Sequence, residues 1–318
     1  MFSISEKKEG DFDKIVLYDG ESKAIVEIIP SCGGTLHLFS IPFQGNALNV
    51  IDHYSNQKDF KKNVTSKGFK SCKLSPFACR IENARYTFSN KEFVIKKFLL
   101  NGSALHGLLY DADFTVIEQK ANENMAKLTM QYIYQGSDPG YPFNYDCIIT
   151  YELEKQSTLT ISTTIINRHS DKIPIQDGWH PYFTFEKPIN DLQLEFQSMG
   201  MIEFNELLIP TGNLLPYSSF STLKKIDDTI LDNCYTLNFD ITQPLCILRD
   251  TERKLQVEIR PEKSYPYLQI YTPPGRKSIA IENLSAPPDV FNNGLGIIIL
   301  PPGASEKFKT TFKITALI

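Results

Sequence analysis

Two histidines and one glutamate stand where a catalytic acid and base could operate. His106 lies among small and turn-forming residues, and His180 follows the chain's only tryptophan. Pro181 disfavours helical backbone at His180 and so predicts an extended conformation there. Glu282 follows the apolar run 279–281, which predicts a carboxylate at the end of a strand. An imidazole and a carboxylate on opposite sides of one small molecule can exchange protons with it, which is general acid–base chemistry.

Each of these residues also has a plainer interpretation. A lone histidine is more often a hydrogen-bonded core or loop residue, and a lone glutamate at a strand end is usually exposed. Two histidines in aromatic and glycine settings, together with the acid, favour a functional site.

Other common chemistries find no support in the sequence. There is no G-x-S-x-G nucleophile motif, and the segment 275–278 lacks the glycine and lysine placement of a P-loop. The glycine pair in 294–296 lacks the third glycine of a dinucleotide-binding motif. The histidines never fall two or four positions apart, so no local metal-binding motif is present. We therefore expect neither a cofactor nor a metal.

Composition restricts the classes of partner. The chain has 318 residues, with 33 Lys+Arg against 37 Asp+Glu and a net charge of −4. Without a basic stripe, we expect no nucleic-acid partner. The longest apolar run near the end, 297–300, is far shorter than the ~20 residues of a membrane span. Residues 1–8 contain no apolar signal segment and the six cysteines form no CxxC motif, which predicts reduced thiols and a cytoplasmic location.

Alternation of apolar and polar residues dominates the pattern along the chain. It is clear in the runs 128–134, 192–197, 255–260 and 308–314, and is typical of half-buried antiparallel strands. Turn-forming residues separate such runs at 18–20, 137–140, 211–213, 273–275 and 301–303. The pattern predicts an all-β fold, a large antiparallel β-sandwich forming a single domain over residues 1–318. The polar stretch 55–67 is compatible with a short helix or a loop.

Several of these segments, taken together, resemble the aldose 1-epimerase (galactose mutarotase) family. Trp179–Phe183 is similar to its His-Pro-Tyr-Phe signature, and Leu105–Gly107 to its first histidine motif. Further matches in the family's order lie at 75–81, 138–142, 150–153, 231–235, 268–273, 287–289 and 300–303. The resemblance implies the family's β-supersandwich fold.

The resemblance also implies roles for five residues. Glu282 is the implied base and His180 the implied acid, while His106 hydrogen-bonds the ring oxygen or a neighbouring hydroxyl. Arg80 and Asp232 are the implied substrate-binding residues. Since an unperturbed glutamate titrates near ~4.3 and a histidine near ~6.5, we expect an ionised Glu282 at neutral pH. A protonated His180 would require a raised pKa, which a nearby carboxylate would supply.

These expectations point to an aldose 1-epimerase that interconverts the α and β anomers of a free hexose. Its partner would be a small-molecule sugar, and we expect a monomer or weak homodimer. The nearest alternative is a hexose-6-phosphate 1-epimerase, which needs further cations near the pocket; Lys73, Arg85 and Arg168 are the available candidates. Another is a carbohydrate-binding protein without activity. A lyase or glycosidase is a third, although most glycosidases use two carboxylates and only one is convincingly placed here.

Overall fold

The computed structural model describes residues 1–317, so the last residue of the predicted 1–318 domain lies outside the described residues. The chain begins with short strands and one helix: β1 (Phe2–Glu9), β2 (Phe12–Asp19), β3 (Ile25–Ile29), β4 (Thr35–Phe43), β5 (Asn46–Asn49), α1 (Gln57–Asn63), β6 (Lys73–Leu74), β7 (Arg80–Ile81), β8 (Arg85–Phe88), β9 (Lys91–Val94), β10 (Leu99–Leu100) and β11 (Ser103–Leu105).

The middle of the chain contains the strands β12 (Thr115–Ala121), β13 (Met125–Gln135), β14 (Asn144–Glu154), β15 (Thr158–Asn167), β16 (Ile173–Ile175), β17 (Gly178–Trp179), β18 (Tyr182–Phe183), β19 (Gln193–Phe196) and β20 (Ser198–Phe204). The remaining elements are β21 (Pro210–Leu215), β22 (Lys224–Lys225), β23 (Asp232–Leu237), β24 (Cys246–Asp250), β25 (Leu255–Pro261), β26 (Tyr267–Tyr271), β27 (Ile279–Leu284), α2 (Val290–Asn293), β28 (Ile298–Leu300) and β29 (Ser305–Ala316). Single 3₁₀ turns occupy Glu82–Ala84 and Ile189–Asp191.

Two large antiparallel sheets form the body of the fold. The nine-stranded sheet has the order β12-β13-β14-β15-β29-β25-β24-β19-β22, and the eight-stranded sheet runs β21-β20-β23-β26-β27-β17-β6, with β18 pairing β27. A five-stranded sheet, β1 to β5, precedes them. The predicted all-β, antiparallel architecture is confirmed.

The alternating sequence pattern explains why these segments are strands. In β29 the residues Phe308, Thr310, Phe312 and Ile314 are buried, while their neighbours are at least partly exposed. The run 255–260 instead lies in β25, in the interior of the nine-stranded sheet between β24 and β29, and is buried on both faces apart from its last residue.

The two large sheets pack face to face through aromatic side chains. Phe183 of the smaller sheet lies 5.3 Å from Phe312 of the larger, centroid to centroid. The rings of Trp179 and Tyr151 lie 5.9 Å apart, also across the two sheets. One buried core cluster extends from Phe2 to Ile314, as a β-sandwich requires.

The structure also tests two local predictions, the stretch 55–67 and the turn at 211–213. The stretch 55–67 contains helix α1, which begins after Asn56, whose side-chain oxygen accepts a hydrogen bond from the Asp59 amide at 2.7 Å. The predicted turn at 211–213 is wrong, because these residues lie inside β21. The chain reverses instead at 205–209, where the Asn205 side chain accepts the amides of Leu207 and Ile209 at 2.9 and 3.1 Å. Within residues 1–317, all six cysteines are free and buried, and no helix is long and apolar enough to cross a membrane.

Candidate active site

One face of the eight-stranded sheet carries a row of polar side chains. Glu282 in β27 pairs with Gln269 in β26, and Gln269 in turn pairs with Cys234 in β23. Asp232 lies two residues before Cys234 and therefore points to the same face. The neighbours of Glu282 point the other way: Asn283 accepts a hydrogen bond at 2.8 Å from the Thr310 hydroxyl of the facing sheet. Strand alternation thus directs Glu282 away from the core between the two large sheets. The strand also continues two residues past Glu282, beyond the strand end expected from the sequence.

His180 reaches the same place from the adjoining strand. It follows β17, and its amide donates to the Cys72 carbonyl at 3.2 Å, while its own carbonyl accepts the Ser71 amide at 2.8 Å. Trp179 is buried, and the ring of Tyr182 stacks parallel to the imidazole at a centroid distance of 5.0 Å. The backbone and the aromatic neighbours together fix the imidazole in one orientation.

His106 enters the site through a tight turn after β11. Its φ of 58° is left-handed, which is uncommon for a residue with a side chain, and its amide donates to the Cys79 carbonyl at 2.8 Å. Gly107 follows with φ of 78°, and a Cβ there would lie 2.4 Å from the Ser75 carbonyl oxygen. The turn needs glycine at 107, and it directs the His106 ring towards the ring of His180, 4.9 Å away between centroids.

The three side chains converge although they are far apart in the sequence. His180 Nε2 lies 3.3 Å from Glu282 Oε1, and polar atoms of His106, His180 and Glu282 all lie within 4.8 Å of one another. All three residues are buried, at 9 %, 4 % and 2 % exposure respectively. Histidine and carboxylate are common ligands of divalent metals, so this cluster is also the candidate metal-binding group among residues 1–317.

The cluster lines an open cavity of about 620 Å³. A volume of this order is typical of small-molecule sites. Other polar and charged residues of the lining include Asp52, Lys67, Lys70, Arg80, Asp232, Gln269, Arg276, Lys277 and Ser278. The five residues singled out from the sequence therefore meet around a single cavity.

Burial determines the protonation of the cluster. It lowers the pKa of His180 to about 3, and lowers the pKa of His106 well below its usual value, with the neighbouring His180 adding to the effect. It raises the pKa of Glu282 well above 4.5, with Asp232 adding to the effect. The lowered pKa of His180 is opposite to the raised value expected from the sequence, and the raised pKa of Glu282 disagrees with the ionised carboxylate expected there, because desolvation disfavours both charged forms. Burial therefore favours a neutral imidazole beside a protonated carboxyl.

Asp232 and Arg80 lie on the cavity wall. Burial raises the pKa of Asp232, while the Arg80 guanidinium and a hydrogen bond from Gln269 oppose the rise. Gln269 Nε2 donates to Asp232 Oδ1 at 2.9 Å, and Gln269 Oε1 is buried without a hydrogen-bond partner among the described residues. Gln269 was not among the residues predicted from the sequence. In the sequence it stands out only as a polar residue between the apolar residues of a strand. The register of β26 and β27 places it beside Glu282.

Lys73, Arg85 and Arg168 were the candidate cations for binding a phosphate, and none of them lines the cavity. Lys73 is fully buried, with Nζ 2.5 Å from Asp177 Oδ1. Arg85 pairs with Glu92 at 2.6 Å, and Arg168 pairs with Asp146 at 2.7 Å.

Comparisons with known proteins agree with this fold. The structure superposes on a galactose mutarotase-like protein from Clostridium acetobutylicum with a TM-score of 0.86 and 17% identity, covering 99% of both chains. The chain therefore has the galactose mutarotase-like fold.

Sequence comparison identifies the family. The family model "Aldose 1-epimerase" matches residues 14–313, and the chain belongs to that family. An aldose 1-epimerase from Streptococcus thermophilus is 22% identical, covering 98% of this chain and 96% of the relative. The uncharacterized protein YihR of Escherichia coli K12 is 23% identical, covering 74% of this chain and 75% of the relative.

Proposed function

We propose that this protein is an aldose 1-epimerase that opens and recloses the ring of a free hexose, interconverting its α and β anomers. The observation that carries the proposal is the 3.3 Å approach of His180 Nε2 to Glu282 Oε1 on the wall of a cavity of about 620 Å³, which is large enough for a hexose. Such a pair can take a proton from one oxygen of the sugar and give one to another.

In the opening step, the Glu282 carboxylate accepts the proton of the C1 hydroxyl. The bond between C1 and the ring oxygen breaks, its electron pair stays on the ring oxygen, and that oxygen takes a proton from the His180 imidazolium. The products are the open-chain aldehyde, a neutral imidazole and a protonated carboxyl. After rotation about C1–C2, the same steps in reverse close the ring on the other face.

Burial favours the protonation state of the pair that follows ring opening. A neutral His180 and a protonated Glu282 hold the same total number of protons as the imidazolium–carboxylate form. Burial thus favours the protonation state from which the ring closes. Ring opening requires that the proton first move from Glu282 to His180, whose facing atoms lie 3.3 Å apart.

Three further side chains are suited to orienting the sugar. Arg80 offers donors, Asp232 offers acceptors, and Gln269 Oε1 is a buried acceptor without a partner among residues 1–317. A buried polar atom of this kind gains a hydrogen bond when a ligand hydroxyl reaches it. Tyr182, stacked on His180, presents an aromatic surface beside them.

The charges at the cavity favour a neutral sugar over a phosphorylated one. Of the five lysine and arginine side chains that line the cavity, Lys67 is paired with Asp59 at 2.6 Å and Lys70 with Asp52 at 2.7 Å. Arg276 donates to Asn190 Oδ1 at 2.7 Å and to backbone carbonyls. Arg80 interacts electrostatically with the Asp232 carboxylate, and Lys277 makes no ion pair in the described part of the chain. A phosphate is usually held by several free donors.

Replacement of the two proton-exchanging residues tests the proposal. We expect Glu282→Gln and His180→Asn each to lower the mutarotation rate by about 10²–10⁴-fold, because each removes one proton-transfer group. The rate is measured by polarimetry on freshly dissolved α-glucose and α-galactose, with circular dichroism to confirm folding. His169→Asn, the same substitution at a histidine outside the cavity, is the matched control and keeps the wild-type rate.

Three outcomes would contradict the proposal. Near wild-type turnover in a folded Glu282→Gln variant would remove the acid–base pair from the mechanism. Wild-type protein that binds sugar but leaves mutarotation at the buffer rate would identify a carbohydrate-binding protein. Faster turnover of glucose 6-phosphate than of glucose would instead support the phosphorylated alternative.

A further inference from the structure

The catalytic cluster has the composition of a known class of metal site. Two histidines and one glutamate are a ligand set of catalytic zinc sites, in which the fourth position is left open. Here His106, His180 and Glu282 come from three different segments and offer ligand atoms within 4.8 Å of one another. The three residues lie on the wall of an open cavity, so an ion can enter.

The distances agree with tetrahedral coordination. Zinc–nitrogen and zinc–oxygen bonds of about 2.0–2.1 Å at a tetrahedral angle place two ligand atoms about 3.3–3.4 Å apart. The separation of His180 Nε2 and Glu282 Oε1 is 3.3 Å. Since all ligand atoms lie within 4.8 Å of one another, adjustments of at most about 1.5 Å in their separations would complete the set.

Other features argue against a dedicated metal site. In such sites the second nitrogen of each histidine donates to a carboxylate, carbonyl or water that orients the ring. Here Nδ1 of both His106 and His180 is buried without a hydrogen-bond partner among residues 1–317. Arg80 lies on the same cavity wall and repels a cation. The cluster is therefore suited to a reversible ligand rather than to a permanently held ion.

We propose that His106, His180 and Glu282 bind one Zn²⁺ ion that competes with the sugar for this cavity. Metal binding depends only on the three side chains. Its consequence, reversible inhibition, rests on the proposed epimerase function, because the ion would occupy both proton-exchanging groups.

Direct titration with metal tests binding without any activity assay. We expect isothermal calorimetry with ZnCl₂ to show one ion per chain, and Co²⁺ to give the visible absorption of a four- or five-coordinate site. Glu282→Gln and His106→Gln should each weaken binding at least tenfold, since each removes a ligand. Saturating galactose should raise the apparent Kd for Zn²⁺.

Two control variants test whether zinc binds to other histidine or cysteine side chains and not to this cluster. His37 and His53 are another neighbouring imidazole pair, with centroids 4.4 Å apart, and Cys79 is a thiol on the cavity wall. His53→Gln and Cys79→Ser should leave the stoichiometry and Kd unchanged. Zinc binding abolished by His53→Gln, or unaffected by both Glu282→Gln and His106→Gln, would overturn the proposal.

The zinc titration and the mutarotation assay test different claims, so either claim can fail without the other. A protein that binds one Zn²⁺ through Glu282 but does not catalyse mutarotation would retain the metal site and lose the epimerase. A mutarotase that shows no calorimetric zinc binding would retain the epimerase and lose the metal site.

Discussion

Gln269 and Asp232 illustrate how a buried hydrogen bond prepares one side of the cavity for a ligand. The amide donates to the carboxylate at 2.9 Å and leaves its own oxygen without a partner. Since the carboxylate is thereby held in place, the pair presents a fixed set of acceptors towards the cavity. A polyhydroxylated ligand would satisfy them.

We expect Gln269→Leu to reduce kcat/KM about tenfold or more, mainly through KM. The substitution removes one hydrogen bond to the sugar and one to Asp232, and bonds to charged groups contribute about 1.5–3 kcal/mol each. Steady-state polarimetry over a range of galactose concentrations measures the effect. An unchanged KM in the folded variant would exclude Gln269 from substrate binding.

His37 makes folding stability depend on pH independently of the active site. Burial, aided by His53, lowers the pKa of His37 to about 3. The imidazole stays neutral in the folded protein, whereas in the unfolded chain it takes up a proton near pH ~6.5. The unfolded state therefore binds more protons below that pH, and stability falls on acidification.

We expect His37 alone to lower the free energy of unfolding by about 2 kcal/mol between pH 7 and pH 5. His37→Phe keeps an aromatic ring against Phe12 and removes the titrating group. We expect the variant to lose less stability than the wild type over this interval, measured by urea unfolding at both pH values. Parallel losses in the two proteins would contradict the assigned shift.

At the scale of elements, the turn after β11 is the most constrained support of the site. His106 and Gly107 both adopt left-handed backbone, and Gly107 packs against the Ser75 and Phe77 carbonyls. The turn holds His106 beside β7, which itself carries Arg80. One short turn therefore positions two of the predicted site residues relative to each other.

We expect Gly107→Ala to destabilise the protein by about 2–4 kcal/mol and to reduce the mutarotation rate. A methyl group there would lie 2.4 Å from a carbonyl oxygen, so the turn must shift and carry His106 with it. Gly102→Ala is a matched control, because Gly102 has a similar φ of 83° but nothing within 4 Å of the added methyl. Thermal unfolding should show a loss of only about 1 kcal/mol for the control. If both variants lose the same stability, the cost comes from the left-handed backbone alone and not from the contact with the carbonyl oxygen.

At the scale of the whole molecule, a buried ion pair lies in the core beneath the active site. Lys73 in β6 is fully buried, donates to Asp177 at 2.5 Å and to the Gly178 carbonyl at 3.0 Å, and lies over the Trp179 ring. Tyr265 donates to the same carboxylate oxygen at 2.6 Å. The group joins the edge of the eight-stranded sheet to the segment that leads into His180.

We expect Lys73→Met to destabilise the protein by about 3–5 kcal/mol, because it leaves the Asp177 carboxylate buried without its cation. Arg85→Met, which breaks an ion pair with Glu92 that is more than half exposed, should cost less than about 1 kcal/mol. Chemical denaturation of both variants measures the difference. Similar midpoints would show that the buried pair contributes no more than the surface pair.

Short-range patterns in the sequence were enough to predict most of the strands and to single out the candidate site residues. Alternation at 308–314 reports which face is buried, since successive strand residues point to opposite sides. The His-Pro-Tyr-Phe segment and the Leu-His-Gly segment carry the family resemblance directly in their residue types, and the family match over residues 14–313 confirms it. The single-domain division stays a prediction.

Only the tertiary structure determined the distances between the site residues, the protonation of His180 and Glu282, and the register of the strands that carry them. His180 and Glu282 meet because β17 and β27 are hydrogen-bonded neighbours, a pairing that no local pattern encodes. The pKa directions of both residues differ from expectation because desolvation depends on the whole surrounding core. The cluster of His106, His180 and Glu282 could not be predicted from local patterns either, because its members are adjacent only after long-range strand pairing brings three distant segments together.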